Sequence, residues 1–86
     1  MTAPEENSLL PAASHRHIEF GRRLRLLRIV RSISQTEMAG AAGLTLSEYR
    51  RVESGAMGAS ATEVAHIAEC LNLPVSALSE PEKSRS

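Results

Sequence analysis

The 86-residue sequence contains one cysteine, Cys70, no tryptophan, and two aromatic residues, Phe20 and Tyr49. A single cysteine excludes an internal disulfide and suits a reducing compartment. So few aromatic rings leave little platform on which the bases of a single strand could stack. No segment approaches the ~20 consecutive apolar residues of a membrane helix. The first residues lack the basic start and the apolar run of ~7–15 residues that mark a signal peptide. The expectation is a cytoplasmic protein with no membrane partner. Catalytic signals are missing too: there is no nucleophile elbow, phosphate loop or paired-acid motif. His15 and His17 stand two apart and do not share a helix face, and His66 is remote from both. No catalytic residue, metal site or cofactor is expected.

What is present is helix. Hydrophobic residues make up 42% of the chain and are mostly Ala, Leu, Ile and Val. Phe20, Leu24 and Leu27 recur at i, i+4 and i+7, which puts one apolar stripe on a helix over residues 15–31. A hydroxyl-x-x-Glu pattern then occurs three times, at Ser34/Glu37, Thr45/Glu48 and Ser60/Glu63. Each has the form of a capping box, in which hydroxyl and carboxylate satisfy two orphan backbone donors at a helix start. The stops agree: Gly43, Gly55 and Asn72 fall where a left-handed residue would end a helix. Pro74 suits the start of a short fifth helix reaching residue 78 or 79. With no alternating strand pattern, the fold class is all-α with five helices.

The flanks differ in composition from this helical stretch. Residues 1–13 carry two prolines and several polar groups and read as a flexible arm, residues 14–80 as the folded domain, and residues 81–86 as a polar tail. The formal net charge is zero, yet between residues 15 and 54 eight arginines face four glutamates. Arginine suits forked contacts with phosphate and guanine. A solvated arginine-rich helix face gives the same pattern, so charge alone does not decide between the two.

The informative unit runs from Ser34 to Gly55. Two short helices (helices 2 and 3) flank a tight turn at Ala42-Gly43-Leu44, the layout of a helix-turn-helix. Ala39 provides the small side chain needed where the two helices cross, and Met38, Ala42, Leu44, Tyr49 and Val52 supply apolar contacts. Together with Gly21, Leu24, Arg28, Gln35, Glu37-Met38-Ala39, Thr45, Val52-Glu53, Ile67-Ala68 and Leu78, this stretch resembles the lambda-repressor/Cro-like (XRE) family of helix-turn-helix regulators.

That resemblance implies specific roles. Gln35, which opens helix 2, corresponds to a phosphate contact. Arg28 and Glu53 correspond to a structural ion pair rather than to DNA ligands. Helix 3, over residues 45–54, would be the recognition helix. Thr45 would cap it and reach a phosphate, and Leu46, Ser47, Arg50 and Arg51 would face the groove. Arg51 is the base reader of choice, forking onto guanine, and Arg50 lies further round and would hold a phosphate. Leu46 departs from the polar residue usual at its place and offers instead a contact to a thymine methyl. The function implied is sequence-specific binding of double-stranded DNA, as a homodimer on an inverted repeat, to regulate transcription.

One feature exceeds the family pattern. Leu26, Ile29 and Val30 lie at i, i+3 and i+4 on helix 1, away from the core stripe. Such a patch calls for a cover, either the N-terminal arm with Leu9 and Leu10 or a protein partner. A rival reading follows, in which the domain is mainly a protein–protein interaction module that works through this patch.

Overall fold

The computed structural model describes residues 15–78. The arm expected over residues 1–13 and the tail expected over residues 81–86 lie outside the described residues. Among the described residues there is no strand. Four α-helices, α1 (His15–Val30), α2 (Gln35–Ala42), α3 (Leu46–Ser54) and α4 (Ala61–Leu71), are followed by a 3-10 turn at Val75–Ala77.

The local signals act as their chemistry dictates. Ser34 Oγ accepts the Glu37 N–H at 3.0 Å, and Glu37 returns a carboxylate oxygen to the Ser34 N–H at 2.9 Å. The same reciprocal pair forms at Thr45/Glu48, at 3.0 and 2.9 Å, and at Ser60/Glu63, at 3.1 and 2.8 Å. A cap of this kind stabilises its helix by ~1 kcal/mol. At the other ends, Gly43, Gly55 and Asn72 adopt left-handed φ values of 78°, 88° and 61°.

Two expectations need correction. Helix α1 stops at Val30, one residue early, because Ser32 turns the chain at φ 57°. Serine rarely adopts that conformation, so nothing local announces it. The expected fifth helix is one turn of 3-10 helix. Leu78 is fully buried while Val75, Ser76 and Ala77 are exposed, so a single turn suffices to bring the one anchoring side chain into the core.

The core consists of Leu24, Met38, Ala39, Ala42, Tyr49, Val52, Ile67, Ala68, Leu71 and Leu78, with Phe20, Leu27 and Leu44 packed at its margin. Helix α1 packs on α3, α2 packs on both α3 and α4, and the 3-10 turn closes against α4. Gly21 makes the α1–α3 crossing possible: a Cβ there would lie 2.4 Å from the Glu53 carbonyl oxygen and 2.5 Å from that of Val52. Helix α3 is thus held from one side by α1 and α2, and its opposite side is left to solvent.

Candidate nucleic-acid interface

The nine residues of α3 divide cleanly between those two sides. Tyr49 and Val52 are fully buried, and the Glu53 side chain is only 5% exposed. Thr45, Ser47, Arg50 and Arg51 are exposed, whereas Leu46 is half-buried and spends part of its surface on the fold. Among the described residues, Arg51 makes no side-chain hydrogen bond. Glu48, two residues before Arg50, is turned back onto the Thr45 N–H by the capping box.

Behind this face lies a polar network centred on Glu53. Arg28 Nε donates to Glu53 Oε2 at 2.5 Å and Arg28 Nη2 donates to Oε1 at 3.3 Å. The Tyr49 hydroxyl adds a bond to Oε2 at 2.6 Å, and Gln35 Nε2 adds one to Oε1 at 3.0 Å. A carboxylate has about four acceptor sites, and all are occupied. Glu53 therefore has nothing left to offer a ligand. Arg28 also donates from Nη1 to the Ile33 carbonyl at 2.9 Å, which ties the α1–α2 connection to the same centre.

The ionisation behaviour follows from this geometry. Burial alone would raise the pKa of Glu53, but the bonds from Arg28, Tyr49 and Gln35 outweigh it and hold the carboxyl below its ordinary range. Its partner Arg28 is pushed further above its usual value, chiefly by the bond to Glu53. Burial, with the neighbouring carboxylate, drives the Tyr49 phenol far above its ordinary value. At neutral pH the centre is a carboxylate, a guanidinium and a neutral phenol.

The sequence-read residues are thus brought together unequally. Arg28 and Glu53 form the ion pair that was expected of them. Gln35, expected at a phosphate, has its side chain turned inward to Glu53, while its oxygen accepts from Arg50 Nε at 3.2 Å. The basic stretch is divided as well. Arg23 donates to the Leu78 carbonyl at 3.3 Å and Arg31 to the Leu71 carbonyl at 2.9 Å, so both fasten the C-terminal part of the domain. The Tyr49 hydroxyl bond, to a carboxylate one helical turn on, was not read from the sequence. These carbonyl contacts were not legible because partners 40 and 55 residues away leave no local signal. Gly21 was legible only as part of the family resemblance.

The apolar patch is present as expected. Leu26, Ile29 and Val30 are 58%, 50% and 73% exposed. Among the described residues no group of three potential metal ligands gathers, and no helix is long and apolar enough to cross a membrane.

Comparison with known proteins agrees with this geometry. A family model described as a helix-turn-helix domain matches residues 19–80. The restriction-modification controller protein C.AhdI from Aeromonas hydrophila is 32% identical, with a TM-score of 0.68 over 72% of this chain and 94% of that one. The clp gene regulator ClgR from Corynebacterium glutamicum superposes with a TM-score of 0.71 at 20% identity, over 76% of this chain and 69% of that one, which shows a shared fold. A comparison with curated protein sequences gives no match.

Proposed function

This chain belongs to the helix-turn-helix domain family, and from that premise we propose that it is a sequence-specific double-stranded DNA-binding transcriptional regulator. Helix α3 enters the major groove with Arg51 forking onto a guanine, while Ser47 and Leu46 face neighbouring base edges. Thr45 and Arg50 hold phosphates. Gln35 adds its backbone N–H at the start of α2, where free donors and the helix dipole favour an anion. The observation that carries the reading is the exposed outer side of α3, where Arg50 and Arg51 stand together while the nearby acids Glu48 and Glu53 are engaged internally. The likeness to a restriction-modification controller protein supports a role in control.

The regulator acts as a homodimer on an inverted repeat, which sets its two recognition helices ~34–36 Å apart. The segment around the 3-10 turn, with Val75 exposed, supplies the dimer contact. Selection from a randomised duplex pool, followed by titration across a salt series, tests the proposal. Enrichment of a palindromic duplex whose binding weakens steeply with salt supports it, since phosphate contacts release counterions. A folded protein that enriches no sequence, or that binds all duplexes alike, refutes it.

The exposure of Leu26, Ile29 and Val30 favours a second reading, a protein–protein interaction module working through α1. Under that reading, replacing these residues by polar ones abolishes partner capture while substitutions on α3 leave it intact.

A further inference from the structure

The Gln35 carboxamide has its orientation set at both ends. Its nitrogen faces Glu53 Oε1 at 3.0 Å and its oxygen faces Arg50 Nε at 3.2 Å. Turned over, the amide would set oxygen against a carboxylate and an NH2 group against a guanidinium, which has no acceptor. Glu53 is itself locked by Arg28 and Tyr49. A continuous polar chain therefore runs from Arg28 through Glu53 and Gln35 to Arg50 on the exposed side of α3. The bond to Gln35 occupies the Arg50 Nε–H and leaves the two terminal amino groups as the open edge of the fork.

We propose that Gln35 is a positioning residue for Arg50. It fixes the arginine before DNA arrives, so that the terminal edge of the guanidinium meets a backbone phosphate, and its own side chain does not touch DNA. A free surface arginine loses much rotamer freedom on binding, and prior ordering removes part of that loss. The proposal rests on the DNA-binding reading above and deepens it, since it makes the grip on a phosphate depend on the ion pair at the α1–α3 junction.

The test uses the full chain, with Gln35→Met, Arg50→Ala and the double variant, and Gln35→Leu as a second means of removing both bonds. The probe is a duplex enriched by the wild type from a pool randomised over about two helical turns. In the free protein, 15N relaxation of the arginine Nε–H groups is expected to show Arg50 more ordered than Arg51 and equally mobile once Gln35 is Met. On the duplex, Gln35→Met is expected to weaken binding about fivefold, the scale of one hydrogen bond. The salt slope should stay as in wild type because the arginine charge remains, whereas Arg50→Ala should reduce the slope by about one unit. In the Arg50→Ala background the Gln35 change should have no further effect. Equal Arg50 mobility in wild type and Gln35→Met overturns the proposal. So does an affinity loss of the same size in both backgrounds, which would mean direct contact or damage to α2. A wild type that enriches no duplex refutes the DNA reading itself, and the relaxation measurement then decides separately whether Gln35 orders Arg50.

Discussion

Helices α1 and α3 are both rich in arginine, and two arginines of α1 are used in the opposite way to those of α3. On α1, Arg23 and Arg28 turn toward the protein and bond to the Leu78 carbonyl and the Glu53 carboxylate. Arg31, just past its end, bonds to the Leu71 carbonyl, and Arg22 and Arg25 stay exposed. On α3, Arg50 and Arg51 are exposed, and only Arg50 is tethered, by one bond to Gln35. The same side chain therefore serves as a fastener at α1 and, on the proposed reading, as a reader on α3. What distinguishes them is the supply of partners. Carbonyls at helix ends and a buried carboxylate claim Arg23, Arg28 and Arg31, whereas on α3 the cap and the ion pair have already engaged Glu48 and Glu53.

This contrast can be broken at several points. Arg28→Ala should have the largest effect, because it leaves Glu53, 5% exposed, with its charge partner gone. A loss of ~3–5 kcal/mol in chemical denaturation is expected, with DNA binding lost through unfolding. Gly21→Ala should cost ~1–3 kcal/mol, since its methyl group would overlap the Val52 and Glu53 carbonyls and push α1 away from α3. Arg51→Ala should do the reverse of both. Its unfolding free energy should stay within ~0.5 kcal/mol of wild type, while its affinity for a selected duplex falls by the equivalent of ~1–3 kcal/mol.

The pH dependence isolates the fastening side. Glu53 has a folded pKa below its ordinary 4.5, so the unfolded chain binds a proton first as pH falls. Its stabilising contribution is full above 4.5 and is lost as pH drops from there toward the lower folded value. Denaturation curves between neutral and acid pH should show that decline, and Glu53→Gln should flatten it. The smallest expected effect is that of Thr45→Ala, about 1 kcal/mol of stability through the lost cap.

The difference between the two helices also explains how far the sequence could be read. Helix starts and ends were legible because a capping box or a left-handed Gly spans four residues or fewer, as at Thr45/Glu48 and Gly55. The ion pair of Arg28 with Glu53 was legible only through the helix-turn-helix resemblance, which the family match bears out. Ser32 was not legible, since its left-handed turn carries no glycine. Nor was the inward turn of Gln35, whose side chain depends on where Glu53 sits 18 residues later. Local chemistry wrote the elements, and the crossing of α1 over α3 decided which polar side chains stayed free for a partner.

On the proposed reading, the outer side of α3 reads the major groove through Arg51. The most direct measurement is guanine-N7 methylation interference on a selected duplex, with wild type and Arg51→Ala compared. Methylation is expected to block wild-type binding at guanines in two half-sites about one helical turn apart, and Arg51→Ala to become insensitive at one guanine in each. No interference at any major-groove guanine, or an unchanged pattern in Arg51→Ala, would contradict it.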